Sequence, residues 1–433
     1  MSLESRLLNN LHHWRAAPHW YVALSGGLDS TVLLHLLVRL SAHQNLPPIS
    51  AIHVHHGLQA AADEWPEHCE TVCQQLGVRL QVVRVQVAAG ASLERLAREA
   101  RYAALSAALK SSDILFTAQH RDDQAETVLF RLLRGAGVRG LGGMPTSRAL
   151  GAGTLVRPLL GVGRDELEAY ARVEGLEWIE DPSNNSLDHS RNYLRHQIMP
   201  AIRRRWPQAP VTLAQTAIHL AEAETLLNEL AELDLATAQP HHGHAWLQLP
   251  SLDLNVLKAL SPARQRNALR LWLSTFTPLP DTGHWAGWEA LRDAAADAAP
   301  VWRLTSGELR RGDGCIWWLS GSWLRPVNGP VQWPVSAERL SLPDNGWVRL
   351  HGDRGSATLQ VCYRQGGESL RLAGRGRRDL KRLLNETGLP AFVRARLPLL
   401  YLDGELIAVA NLSHLDTRGV SLHWTPATDA GLS

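Results

Sequence analysis

Six consecutive residues, Ser25-Gly26-Gly27-Leu28-Asp29-Ser30, stand between an apolar run and a helix-periodic stretch. Glycine lets the backbone turn through positive φ and lets an anion come close to its N–H groups. A helix starting at Asp29 adds unpaired N–H donors and a partial positive charge, which together suit a phosphate. The loop lacks the Gly-Lys-Ser/Thr ending of a P-loop, so no lysine reaches the terminal phosphates. A carboxylate beside a triphosphate is repelled unless a divalent cation lies between them, so Asp29 reads as a Mg²⁺ ligand. The plainer reading is a helix cap after a glycine turn. A second stretch, Ala118-Gln-His120-Arg-Asp122-Asp123-Gln-Ala-Glu126-Thr127, sets paired aspartates beside a histidine at a helix start. Such a group is costly unless a cation or substrate sits between the charges, although Asp122 and Asp123 would also complement a helix macrodipole. His53, His55 and His56 end another apolar run. They could hold zinc, but histidines at a strand end more often face solvent or cap a turn.

The elements that must position these groups alternate along the chain. Apolar runs at 21–24, 49–55 and 114–118 read as buried strands, and 78–87 alternates with a strand period. Stretches 31–38, 63–76, 92–109 and 122–134 carry a helix period, with Ser92 as a cap for the third and Gly77 ending the second. Strands alternating with helices of this length predict an α/β fold, a doubly wound parallel sheet over 1–210. Ligands of such sheets bind beyond the carboxyl ends of the strands, so 25–30, 53–57 and 120–123 are expected to converge on one crevice.

The chain has 433 residues, enough for about three domains. A hydrophobic content of 45% with 20% charged residues is that of a soluble globular protein. With no signal peptide and no apolar run near about 18 residues, a cytoplasmic, non-spanning chain is expected. The net charge of +2 makes any nucleic-acid surface a local one. Lysine supplies only Lys110, Lys258 and Lys381 among 44 basic residues. Arginine suits planar contacts to phosphates and bases, and a GC-rich genome gives the same bias. Cys69, Cys73, Cys315 and Cys362 form no C-x-x-C pair, which argues against a zinc ribbon or iron–sulfur cluster and for reduced thiols.

The motif 25–30 resembles that of the PP-loop, or N-type, ATP pyrophosphatases, which cleave ATP between the α and β phosphates. Further stretches resemble the tRNA(Ile)-lysidine synthetase branch: Ala51-Ile-His-Val-His-His-Gly-Leu58, Ala97-Arg98-x-x-Arg101-Tyr102, His120-x-Asp122-Asp123-Gln124-x-Glu126-Thr127 and Arg134-Gly-Ala-Gly137. Arg157-Pro-Leu-Leu160, Glu180-Asp181-Pro-Ser-Asn184 and Arg191-Asn192-x-x-Arg195 belong to the same set. The resemblance covers the whole chain and is densest over 21–200; Ala118 departs from the glycine usual before Gln119-His120. It implies ATP-dependent coupling of free lysine to C2 of the wobble cytidine in the CAU-anticodon isoleucine tRNA. The C2 oxygen is a poor leaving group, so its transfer to the α-phosphate turns it into AMP before the lysine amine attacks. By this resemblance Ser25, Gly26, Gly27, Leu28, Asp29, Ser30 and His53 bind ATP, and Asp29 and Asp123 hold Mg²⁺. Asp29, His120, Asp123 and Glu126 form the catalytic group, with Asp123 or Glu126 accepting the amine's proton. Arg98, Arg101, Arg191 and Arg195 are candidates for phosphate or tRNA contacts, and a homodimer is compatible with the family.

The second half reads as grip. Arg191, Arg195, Arg203, Arg204 and Arg205 follow Asp188 without another acid and suggest a phosphate-facing strip. A mainly helical middle domain is expected over 211–325, with helices over 211–235 and 262–275, and with 302–304 and 315–319 as hairpin strands closing it. Its aromatics are expected in the core. Residues 321–334, with three prolines and two glycines, read as a linker. A small α+β domain over 335–433 would follow, with a tail after Pro426 left disordered. Between 361 and 396, nine basic residues face three acids, a local net of +6. Arg371 and the cluster Arg375, Arg377, Arg378, Lys381 and Arg382 are the candidate tRNA-body contacts, at the acceptor stem by the resemblance. Two rivals remain. A tRNA thiolation enzyme of the same superfamily needs a sulfur-carrying cysteine in the crevice, and neither Cys69 nor Cys73 is expected there. A non-catalytic nucleotide-binding regulator needs neither His120, Asp122 and Asp123 nor a basic third domain.

Overall fold

The computed structural model describes residues 2–55, 57, 63–86, 93–240, 243–279, 282–295, 298–352, 358–372 and 376–427. The expected cap Ser92, His56, Arg375 and the tail beyond 427 lie outside them. The chain divides into two compact units, Met1–Leu226 and Leu227–Ser433.

The first unit runs through α1 (Leu3–Asn10), β1 (Trp20–Ala23), α2 (Leu28–Ser41), β2 (Ile49–His55), α3 (Trp65–Gln75), β3 (Arg79–Arg84), α4 (Leu93–Ala108), β4 (Ile114–Phe116) and α5 (Arg121–Leu133). It continues with α6 (Val138–Leu141), β5 (Ser147–Leu150), β6 (Gly153–Val156), α7 (Arg164–Val173), α8 (Ser190–Tyr193), α9 (Met199–Arg205) and α10 (Ala209–Thr237), in which the unit boundary falls. The six-stranded sheet has the order β3-β2-β1-β4-β6-β5, parallel except for the β5–β6 pair. β1 lies inside it because Trp20 and Val22 are fully buried and its neighbours are β2 and β4, with Trp20 opposite Ile49 and Ile114. α2 packs its Leu33, Leu36 and Leu37 into the same core. The strand order reverses at β1, so the crevice beyond the ends of β1 and β4 is where such a sheet takes a ligand. The expected helices start slightly early: α2 at Leu28 with Gly27 as its N-cap, and α5 at Arg121 with His120 as its N-cap.

The second unit holds β7 (Ser251–Asp253), α11 (Leu254–Ala259), α12 (Pro262–Leu273), α13 (Ala286–Asp293), β8 (Val301–Leu304), β9 (Gly307–Gly312), β10 (Cys315–Leu319), β11 (Val331–Trp333), β12 (Arg339–Ser341) and β13 (Trp347–His351). Then come β14 (Leu359–Cys362), β15 (Ser369–Leu372), β16 (Gly376–Asp379), α14 (Leu380–Glu386), α15 (Ala391–Arg394), β17 (Leu399–Leu402), β18 (Glu405–Val409) and β19 (Ser421–Thr425). Small antiparallel sheets dominate it, β7-β10-β9-β8 in the middle segment and β11-β14-β17-β18 and β12-β13-β19 beyond. The hairpin strands expected at 302–304 and 315–319 form as β8 and β10, each pairing antiparallel with β9 between them. One expectation is corrected here. The stretch 321–334 is not a free linker. Its prolines and glycines hide two anchors, Trp323 and Trp333, both buried in one core with Leu399 and Ile407. β10 explains how: Ile316 and Trp318 pack among the helices, while Cys315, Trp317 and Leu319 on its other face join that C-terminal core. The period-2 alternation of a fully buried strand thus ties the middle and C-terminal segments into one unit, and the middle aromatics are core as expected.

Candidate functional site

The loop after β1 begins the site. Gly26 has φ +85°, and a Cβ there would stand 3.1 Å from Ile179 Cδ1 and 3.2 Å from Cys69 Sγ, so only glycine fits. The Gly26 carbonyl accepts from the Ile179 amide at 2.9 Å, which pins the loop from behind. Ser30 Oγ accepts from the Ser25 amide at 3.1 Å and donates to the Gly27 carbonyl at 3.0 Å, while Gly27 N–H donates to Ser25 Oγ at 3.3 Å. Two of the amides expected to face a phosphate, those of Ser25 and Gly27, are therefore committed within the loop. A helix start leaves its first-turn amides without intrahelical partners, so those of α2 are the donors a phosphate could use.

Ser25, Gly27, Leu28, Asp29 and Ser30 line a cavity of about 810 Å³. His53, from β2, lines it too, its Nδ1 2.9 Å from the Leu24 carbonyl. The loop after β4 brings in His120, Asp123 and Glu126, so the three strand ends meet as expected. His120 and Asp123 form a reciprocal cap on α5: the Asp123 amide donates to His120 Nδ1 at 3.4 Å, and Asp123 Oδ2 accepts from the His120 amide at 3.2 Å. His120 Nε2 lies 3.4 Å from Asp123 Oδ2 and 3.6 Å from Asp29 Oδ2. Asp29 Oδ1 is buried and has no hydrogen-bond partner among the described residues. Burial raises the Asp29 carboxyl above its ordinary value, with His120 only partly offsetting it. Burial pushes Asp123 the same way, but His120, Arg191 and Arg195 together pull it below the usual range. Two neighbouring carboxylates are thus driven in opposite directions, as at sites built for acid–base or cation chemistry.

Three arginines expected to face phosphate, Arg191, Arg195 and Arg203, have carboxylate partners. Arg195 donates from Nε to Glu126 Oε1 and from Nη2 to Asp123 Oδ1, both at 2.7 Å. Arg191 reaches the same two acids at 3.3 Å. Arg203 pairs with Asp122, whose other oxygen accepts from the Arg164 amide at 2.9 Å. Arg98 and Arg101 line the cavity on the α4 side. In the second unit Arg371, Arg377, Arg378, Lys381 and Arg382 are exposed on the β15–β16 hairpin and α14. Arg396, counted with them in the basic stretch, is buried, donating to the Arg325 carbonyl and to Asn345 Oδ1 at 2.6 and 3.2 Å.

As expected, neither Cys69 nor Cys73 lines the cavity. Cys69 is fully buried directly behind the loop, its Sγ 3.4 Å from His53 Nδ1. No local signal in α3 announces this, since the contact joins residues 26, 53 and 69. Burial pushes its thiol up to about 12, so it carries almost no thiolate at neutral pH. Cys69→Ser is expected to keep turnover within about threefold, a change of well under 1 kcal/mol in the barrier; steady-state assays would reveal a larger loss. Among the described residues no group of three or more His, Cys, Asp and Glu side chains is placed to hold a metal ion.

A PP-loop domain model matches residues 2–202, a TilS substrate binding domain model 252–317 and a TilS substrate C-terminal domain model 359–423. The tRNA(Ile)-lysidine synthase of Pseudomonas fluorescens (strain Pf0-1) is 60% identical over 100% of this chain and 99% of its own length. That of Pseudomonas aeruginosa PAO1 is 59% identical over the same shares, and that of Coxiella burnetii 39% identical over 93% of this chain and 91% of its own.

Proposed function

Because the chain belongs to the tRNA(Ile)-lysidine synthase family, we propose that it couples free lysine to C2 of the wobble cytidine of the CAU-anticodon isoleucine tRNA. ATP is the energy source that a PP-loop domain uses. The observation that carries the reading is the pairing of Asp29, its Oδ1 buried and unbonded, with His120 and Asp123 at the start of α2. The cytidine O2 forms a bond to the α-phosphorus while the bond to the β-phosphate oxygen breaks, releasing pyrophosphate. The lysine amine then bonds to C2, the C2–O bond breaks, and AMP leaves with the electron pair.

The residues fit Mg²⁺. Two carboxylates meet across one imidazole, one with an unbonded oxygen, and hard oxygen donors in this number leave room for phosphate oxygens. Asp29 and Asp123 would hold the ion, which would neutralise charge building on the departing pyrophosphate. The α2 amides orient the β and γ phosphates, and Ile179 behind Gly26 keeps the loop from yielding. Of the two acids proposed to take the amine's proton, Asp123 is the poorer acceptor because its neighbours hold its carboxyl low. Glu126 takes the role, and Arg191, its longer partner at 3.3 Å, is the group that gives way. Segments 1–210, 211–325 and 335–433 are proposed as the catalytic, middle and tRNA-holding parts; the three matched models fall one within each. No helix among the described residues is long and apolar enough to cross a membrane; cytoplasmic work, and a homodimer, are part of the same proposal.

The test is the fate of ATP. With α-labelled ATP, AMP and pyrophosphate are expected one-to-one with modified tRNA, and label passes to the tRNA when lysine is withheld. ADP as the stoichiometric product would overturn the assignment, and full turnover on a tRNA lacking a wobble cytidine would remove its lysidine part.

A further inference from the structure

A second group of charges lines the same cavity from α4. Tyr102, in α4, lines that cavity together with Arg98 and Arg101. Two guanidiniums lie over its ring, with Arg98 Cζ 5.1 Å and Arg148 Cζ 5.0 Å from the centroid. Arg148 comes from β5, the antiparallel edge strand, so two elements far apart in sequence converge on one aromatic ring. Behind them Arg157 is 5% exposed; its Nη1 donates to the Pro145 carbonyl at 2.8 Å, and its Nε is buried without a hydrogen-bond partner. Arg131 donates to the Gly140 and Gly143 carbonyls at 2.7 and 2.8 Å.

Among the described residues the cluster lacks an internal counter-charge. The charged groups acting on Arg101, Arg131 and Arg157 are one another's neighbours and the Tyr102 phenol, with no carboxylate among them. α4 carries two acids, Glu94 and Glu99, and Glu99 is bonded to Arg95 at 2.7 Å. Backbone carbonyls satisfy hydrogen bonds but do not cancel charge, and like charges held together in a half-buried site repel. An anion relieves that repulsion, and planar guanidiniums stacked on a ring present their N–H edges to phosphate oxygens. ATP is one source of phosphate, but the α2 loop already provides for it at the end of β1, whereas α4 packs through Tyr102 and Leu105 against β2. A nucleotide whose base reaches Asp29 and Asp123 necessarily brings its own neighbouring phosphates to the rim of the same cavity.

We propose that the Arg98–Tyr102–Arg148 stack, backed by Arg157, is a second phosphate subsite that holds the RNA phosphodiester flanking the target nucleotide. This rests on the reading that RNA is the substrate. Arg148 is the informative position, because it is exposed on an edge strand and its loss opens no core. Arg148→Ala is expected to weaken binding of an RNA hairpin carrying only the anticodon stem and loop by roughly tenfold. The dependence of log affinity on log salt should flatten by about 0.7, one phosphate contact on a single strand. Arg148→Lys restores the slope while recovering only part of the affinity, because the planar stack is lost. KM for ATP, and binding of a hairpin carrying only the acceptor stem, should stay as in the parent. Unchanged affinity for the anticodon hairpin would overturn the proposal and leave the stack as packing. A raised KM for ATP with unchanged RNA binding would reassign it to the nucleotide. If the parent protein fails to incorporate lysine while Arg148→Ala still weakens hairpin binding, the reaction falls and the subsite stands.

Discussion

Asp29→Asn is expected to lower turnover by at least about a thousandfold, roughly 4 kcal/mol of barrier, while raising the thermal midpoint at neutral pH. Both follow from one feature, a carboxylate whose Oδ1 is buried and has no hydrogen-bond partner among the described residues. The folded-state value of this carboxyl is raised by burial, so ionisation costs more in the fold than in the unfolded chain. A raised carboxyl contributes its stability below the unfolded value and loses it as pH rises through the folded value. At pH 7 the charge therefore weakens the fold, and asparagine removes the charge while keeping the shape. The gain in midpoint should shrink as the pH is lowered and Asp29 protonates in the parent. Calorimetry across this range, beside single-turnover pyrophosphate release, separates the possibilities. A lower midpoint at pH 7 would mean that Asp29 holds the loop together, and parental turnover at saturating Mg²⁺ would remove it from the site.

What was legible in the chain was what short motifs encode. The turn at Gly26, the cap at His120 and the buried runs of β1, β2 and β4 are local, and the rule that parallel sheets bind ligands beyond their strand ends assembled them into one crevice. What stayed hidden was contact between distant segments. Arg191 and Arg195 read as phosphate-facing because no acid follows Asp188, yet Asp123 and Glu126 reach them from α5. Cys69 stays outside the cavity as expected, but its place against Gly26 was not legible, because α3 carries no signal for that contact. In 321–334 the prolines and glycines were counted and the tryptophans were not. Composition measures how a segment leaves regular structure; whether it packs depends on which apolar anchors find a core, and Trp323 and Trp333 do.

That packing decides how the basic surface of the second unit should be tested. Cutting the chain after Pro334 would uncover Trp317, Leu319 and Trp323, which share a core with the strands beyond, so lost RNA binding would report unfolding. Neutralising charge in place avoids this. Arg377, Arg378, Lys381 and Arg382 are exposed, and their contacts are slight: Arg377 Nε donates to Ser369 Oγ at 2.6 Å, and Arg382 approaches Glu386 at 3.8 Å across one helical turn. Surface contacts of this kind contribute less than about 1 kcal/mol, so the fourfold alanine variant should fold as the parent does. If each side chain meets a phosphate of a duplex stem, the slope of log affinity against log salt should flatten by about 3.6, from roughly 0.9 per contact. Raising salt from about 50 to 200 mM then weakens the parent roughly a hundredfold more than the variant. Turnover at saturating tRNA should survive, because Asp29, His120 and Asp123 belong to the first unit. A variant with the parental salt slope would show that the β15–β16 hairpin and α14 face solvent in the complex, whatever their charge. A collapse of turnover at saturating tRNA would instead mean that these cations position the wobble nucleotide for reaction, beyond holding the tRNA body.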